Sequence, residues 1–227
     1  MACVYCQNYP ISQMGHGNLL GIDDLAAMML TVERRGAHNV NLVTGTHFLP
    51  HIVEAILAAR RKGLRVPIVY NVSGYERPEV IARLEGIIQV YLADMRYATE
   101  GCAEKYSGVR DYCSNNRAAI KAMLESAGHL QCRNGLAVSG LIVRHLVLPS
   151  LLAETAGVLE YLATQVSRDT AVSLMSQYFP ANKAGLYPEI NRRITGDEYR
   201  EAVSLLARFG LERGWTQDPD ATNPPVA

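Results

Sequence analysis

The chain has 227 residues, enough for one large domain with a full hydrophobic core, and its 48% apolar and 19% charged residues exclude a disordered chain. Lys+Arg and Asp+Glu are each 22, so the formal net charge is zero, which argues against nucleic acid or an anionic membrane as a default partner. Five cysteines, an odd and small number for this length, do not make a disulfide framework and point to a reducing, cytoplasmic setting.

No basic segment followed by an apolar run opens the chain, so no signal peptide is expected. The first feature is a pair of cysteines, Cys3-Val-Tyr-Cys6, in one short loop. Two soft thiolates at that spacing can grip one metal centre. By itself the spacing fits an iron–sulfur cluster, half a zinc site or a thiol–disulfide pair.

Strand and helix patterns then alternate. A helix is predicted over 22–35, with Asp23 and Asp24 in its first turn and Arg34-Arg35-Gly36 at its end. A buried strand follows over 39–44, then a helix over 50–62 closing on Arg60-Arg61-Lys62-Gly63. Both basic clusters read as helix punctuation rather than as phosphate sites. Further strands are predicted over 66–72, 87–92, 141–148 and 171–176, and further helices over 78–85, 115–127, 149–164 and 196–209. The last helix opens on Thr195-Gly-Asp-Glu198, a capping-box pattern. The apolar stretch 140–163 is broken by Arg144, His145, Pro149 and Glu154 and reads as strand then helix, not as a membrane span. Residues 1–217 read as one domain and 218–227 as a loose, polar tail.

Alternation of this kind indicates a parallel sheet with crossover helices, as an open sheet or a barrel, with ligands at the carboxyl ends of the strands. The residues there are Thr44-Gly-Thr-His47, Asn71-Val-Ser-Gly-Tyr75, Asp94-Met-Arg-Tyr97, His145 to Pro149 and Gln177-Tyr-Phe-Pro180. Hydroxyls, an amide and a carboxylate gathered in this way suit a polar, zwitterionic ligand with ribose hydroxyls. No Gly-rich phosphate cradle follows any strand, which argues against a nicotinamide enzyme or a P-loop nucleotide hydrolase. His47 and His145 read equally well as hydrogen-bonded structural groups or as site residues. Met28, Met29, Met123 and Met175 read as core filler.

Cys3-Val-Tyr-Cys6-Gln-Asn-Tyr-Pro-Ile-Ser12 resembles the cluster loop of radical S-adenosylmethionine (SAM) enzymes, most closely the group similar to pyruvate formate-lyase activating enzyme. Val43-Thr-Gly-Thr-His-Phe48, Val69-Tyr-Asn-Val-Ser-Gly-Tyr75, Tyr91-Leu-Ala-Asp-Met-Arg-Tyr97, Leu141 to Pro149 and Met175-Ser-Gln-Tyr178 resemble that group in the same order, as far as Trp215. The resemblance implies a partial (β/α)6 TIM-like barrel of parallel strands with outer helices, its first strand missing. It implies a [4Fe–4S] cluster on three cysteines, S-adenosyl-L-methionine on the open iron, and a 5′-deoxyadenosyl radical that abstracts hydrogen. The implied partners are a protein or peptide substrate and an electron donor such as flavodoxin or ferredoxin.

Residue by residue, Cys3 and Cys6 match the second and third cluster ligands, and Tyr5 a position near the adenine. Thr44, Gly45 and Thr46 fall where many members carry Gly-Gly-Glu to hold the SAM amino group. Asn71 and Ser73 match the ribose and carboxylate side of the pocket. Asp94 and Arg96 match an Asp-x-Lys pair, and Arg144 is a candidate partner for a carboxylate. The first cluster cysteine would lie four residues before Cys3, ahead of Met1. Cys102 and Cys113 are candidates to replace it, whereas Cys132 reads as a bystander. Three functions compete: an activase-like radical SAM enzyme, a cluster-deficient remnant of one, and a thiol–disulfide or zinc protein built on Cys3 and Cys6.

Overall fold

A computed structural model of the chain describes residues 1–218, with the backbone alone at 152 and 153; residues 219–227 of the predicted tail lie outside the described residues. In chain order the elements are α1 (Tyr9–Ser12), α2 (Ile22–Arg34), β1 (Val40–Val43), α3 (Leu49–Arg61), β2 (Ile68–Val72), α4 (Pro78–Ala82), β3 (Val90–Asp94), α5 (Glu100–Ser107) and α6 (Tyr112–Ala127). There follow β4 (Gln131–Arg133), β5 (Leu136–Leu146), α7 (Leu152–Tyr161), β6 (Ala171–Met175), α8 (Gly196–Phe209) and β7 (Gly214–Thr216). This is the α/β pattern of parallel strands and outer helices read from the sequence. No described helix is long and apolar enough to cross a membrane.

The chain forms two compact units. The central unit holds Gly17–Asp94 and Asn115–Val143. Its strands run in the order β1-β2-β3-β5, with β1 parallel to β2 and β2 parallel to β3. The register sets Val43 beside Asn71 and Asn71 beside Leu92, so Asn71, Leu92 and, two residues on, Asp94 share one sheet face. Tyr70 and Tyr91 are paired on the other face, fully buried and edge to face with ring centres 6.4 Å apart. Ala26 and Met29 of α2 and Ile52, Ala55, Ile56 and Ala59 of α3 supply the apolar helix faces.

The terminal unit holds Met1–His16, Met95–Ser114 and the described residues from Arg144 to Asp218. Here the strand order is β5-β6-β7, with β6 parallel to β7. Val147, Leu174, Tyr199 and Ala202 form a buried cluster, and the Tyr199 hydroxyl donates to the Leu174 carbonyl at 2.8 Å. The capping box of α8 is complete: Glu198 N donates to Thr195 Oγ1 at 3.1 Å, and Thr195 N to Glu198 Oε2 at 2.8 Å.

Several expectations are corrected. The strand expected over 87–92 is Val90–Asp94, because Gly86 turns the chain at φ +75° and Ile87 and Ile88 complete that turn. The strand expected over 141–148 begins at Leu136 and is the second half of a hairpin, since Asn134 and Gly135 both take positive φ. The stretch carrying Cys102, for which the sequence pattern predicted no element, is a helix, α5, capped by Thr99, whose side chain accepts from Cys102 N. The helix expected over 149–164 starts at Leu152 and runs into one wide turn, Leu162–Val166. Met28 is 51% exposed rather than core, while Met29, Met123 and Met175 are buried.

Candidate functional site

In the terminal unit the cysteine loop is stitched to α5. Ala2 N donates to Ser107 O at 3.3 Å and Val4 N to Tyr106 O at 2.9 Å, and Cys6 N closes a turn onto Cys3 O at 3.1 Å. Cys3 is 4% exposed, and its sulfur accepts from Arg96 Nη1 at 2.8 Å and Ser107 Oγ at 3.0 Å. With the Ser107 proton on sulfur, the Tyr97 hydroxyl donates to Ser107 Oγ at 2.8 Å, and that of Tyr5 donates to Tyr97 at 2.6 Å. Burial, then the charges that Tyr5 and Cys3 would carry, push the Tyr97 hydroxyl well above its ordinary range, so it stays a neutral donor. The Tyr5 ring meets Tyr178 edge to face at 5.8 Å. Cys6 is half-buried, its sulfur 3.4 Å from Ser12 Oγ.

Of the residues singled out in the sequence, Cys3, Tyr5 and Arg96 are thus gathered into one hydrogen-bonded chain. The Arg96 guanidinium reaches the Cys3 sulfur. Arg144 is half-buried in β5, and its carbonyl accepts from Met95 N at 2.9 Å. His145 is a structural group: 2% exposed, with Nδ1 2.7 Å from Met95 O and Nε2 2.9 Å from Thr155 Oγ1.

In the central unit the strand ends gather the other set. Thr44 takes the left-handed conformation, φ 55°, and its N–H donates to Asn71 O at 2.8 Å. Gly45 is buried, and a Cβ there would stand 2.6 Å from Ile52 Cδ1, the end of a side chain that can move. The Thr46 hydroxyl donates to Glu76 Oε1 at 2.7 Å and accepts from Tyr70 at 3.1 Å. Glu76 is 4% exposed, and burial pushes its carboxyl up. Asn71 and Asp94, both 8% exposed, stand on the shared sheet face, and the Asn71 carboxamide has no side-chain partner among the described residues. Ser73 is half-buried in the following loop, its hydroxyl 3.5 Å from Tyr75 N.

Sequence reasoning missed Ser107, Glu76, Asn116 and Glu154. Each lies far along the chain from what it holds, and no spacing rule reports such pairs. Asn116 donates to Gly74 O and Asp94 O, and Glu154 accepts from the Ala98 and Thr99 N–H groups.

Residues 1–93 match the model of the Radical SAM superfamily. The match covers 93 of the chain's 227 residues. An uncharacterised protein of Methanocaldococcus jannaschii is 28% identical over 217 residues, covering 92% of this chain and 60% of that protein. The chain therefore spans about 60% of the length of this curated relative. A domain of pyruvate-formate lyase-activating enzyme from Bacteroides vulgatus superposes with a TM-score of 0.56 at 12% identity, over 80% of this chain and all of that one. Streptococcus suis SuiB, bound to precursor peptide SuiA, superposes with a TM-score of 0.65 at 10% identity, over 95% of this chain and 46% of that one. At these identities the structures show the fold, that of a partial parallel-strand barrel.

The two groups that radical SAM proteins carry fare differently here. A nucleoside fits: Asn71 presents a carboxamide that has no protein partner among the described residues and is reached by solvent, on one strand-end face with a carboxylate, so donor and acceptor are both open to a polar ligand. A site-differentiated cluster does not. Cys3 and Cys6 offer two thiolates where three are needed, and among the described residues no three His, Cys, Asp or Glu side chains gather as a metal site. Cys102 sits in α5 and the 2%-exposed Cys113 in α6, where its sulfur donates to Tyr97 O at 3.5 Å.

Proposed function

We propose that the chain is the core of a radical SAM enzyme of the activating type. It holds S-adenosylmethionine at the carboxyl ends of its strands and serves hydrogen abstraction from a peptide or small substrate. The single observation that carries this reading is Asn71, a residue 8% exposed whose carboxamide has no protein partner among the described residues and is reached by solvent, on the same sheet face as Asp94. Asn71 and Ser73 would take the ribose and carboxylate, with Asp94 beside them. A cluster would supply the electron for sulfonium cleavage only if a third ligand were provided, since the thiolates present do not complete one. Cys3 and Cys6 would be two of its ligands, and flavodoxin or ferredoxin the class of electron donor.

The test is calorimetric titration with S-adenosylhomocysteine, an unreactive substrate analogue that lacks the sulfonium methyl group. Wild type should bind it, and Asn71→Ala should weaken binding about tenfold or more. A wild-type chain with no affinity for the nucleoside would overturn the reading. A second reading, a nucleoside-binding remnant that loads no cluster, is favoured by the two-thiolate donor set. Anaerobic incubation with iron, sulfide, a strong reductant and S-adenosylmethionine separates the two: 5′-deoxyadenosine forms only in the first.

A further inference from the structure

We propose that Asn116 is a positioning residue for the nucleoside site, a clamp that sets the β2 loop against the end of β3; the proposal rests on the site reading above. Asn116 lies in α6 and is 0% exposed. Its Nδ2 donates both hydrogens, to Gly74 O at 3.1 Å and to Asp94 O at 2.8 Å. Gly74 is three residues beyond Asn71, and Asp94 is the last residue of β3. One side chain thus ties together the two segments that carry Asn71, Ser73 and Asp94, and it meets the ligand through none of its own atoms.

Three observations show that this contact is built rather than incidental. The orientation of the carboxamide is fixed, because both neighbours are carbonyl oxygens and can only accept. Its Oδ1 is consequently buried with no partner among the described residues. A buried acceptor left without a donor costs stability, and a leucine of the same shape would be free of that cost. The chain nevertheless carries the residue that donates twice. Finally, Gly74 sits at φ +71°, and a Cβ there would stand 2.2 Å from Asn116 Nδ2 and 2.3 Å from Asp94 O. Only glycine lets the loop, the strand end and the amide approach this closely. Glycine and clamp are one device, and it acts on backbone atoms, so it fixes where the site side chains start without depending on their identity. Pre-set placement of this kind spares a ligand the cost of ordering its own site.

The experiment uses the full 227-residue chain with Asn116→Leu, and Asn116→Ala as a second variant should leucine not be accommodated. Melting temperature, hydrogen exchange of the amides at 72–75, and calorimetric affinity for S-adenosylhomocysteine are measured on each. The clamp predicts faster exchange at 72–75 and about tenfold weaker binding, at a melting temperature within about 4 °C of wild type. Affinity equal to wild type in either folded variant overturns the positioning role alone. So does a loss of affinity that only follows a large drop in melting temperature with exchange raised throughout, since that is what a merely structural residue would give. A wild-type chain that binds no nucleoside overturns the site reading and the positioning role together.

Discussion

Glu154 is 8% exposed and carries three donors on one carboxylate: Ala98 N at 2.7 Å and Thr99 N at 3.0 Å on Oε2, and the Thr99 hydroxyl at 2.7 Å on Oε1. It thereby satisfies the backbone just ahead of α5, the helix against which the cysteine loop is stitched. Glu154→Gln keeps the shape but has one acceptor oxygen where two are used, so either the N–H pair or the Thr99 hydroxyl loses its acceptor. We expect it to lower the free energy of unfolding by about 2 kcal/mol, read as a shift of the urea midpoint. An unshifted midpoint would mean that the three bonds contribute nothing net. Gly74 and Gly45 give a second test at this scale. A Cβ at Gly74 meets a backbone carbonyl at positive φ, whereas one at Gly45 meets the movable end of Ile52. Gly74→Ala should therefore destabilise by more than about 2 kcal/mol and Gly45→Ala by less than about 1.5 kcal/mol in the same assay. Asn71 and Asp94 were legible in the sequence because a strand-end rule points at them. Asn116 and Glu154 were not, because each reaches its partners across 22 to 56 residues of chain, where local pattern carries no signal.

Elements with local punctuation were read correctly, and α8 is the clearest case. Its capping box is written in Thr195 and Glu198, and the structure adds that Arg192 Nη1 and Nη2 each reach the Glu198 carboxylate at 2.7 Å. The hydrogen bonds of the Arg192 guanidinium, then those of the Thr195 and Ser150 N–H groups and the Arg192 charge, hold the Glu198 carboxyl down to about 2, against a partial burial that opposes them. A carboxyl depressed in the folded state stabilises above its unfolded value, 4.5, and that contribution fades as the pH falls toward about 2. Glu198→Gln should therefore cost about 1 kcal/mol at pH 7, the side chain being largely solvated, and the gap to wild type should close between pH 4.5 and about 2. Parallel melting curves across that range check it. A gap independent of pH would assign the effect to the cap's shape rather than its charge. Elements set by turns or by packing were less legible. The Asn134-Gly135 turn makes a hairpin whose first strand, β4, has only three residues, too short for a period to show. In α5, Ala103 and Tyr106 are buried but polar residues surround them, so the apolar stripe is thin.

For the molecule as a whole, the number of sulfur ligands decides what it can hold. Residues 1–218 contribute Cys3 and Cys6 and no third donor in a metal-binding group. A thiolate within the same loop acts at an effective concentration in the millimolar range, which is why its loss weakens metal binding without changing the remaining sulfur atoms. A small free thiol supplied at comparable concentration can therefore stand in for it. We expect iron uptake by this chain, read as bound iron with its visible absorbance, to be low with iron and sulfide alone. Uptake should rise and level off as a small thiol is added over about 1–20 mM. Cys3→Ala and Cys6→Ala should each remove the response, because one protein thiolate and two free thiols lack the closure that makes the site. Cys102→Ala should respond as wild type does, its side chain belonging to α5. Uptake that is complete without added thiol, and lost in Cys102→Ala or Cys113→Ala, would instead show that a cysteine distant in the chain moves in to finish the site.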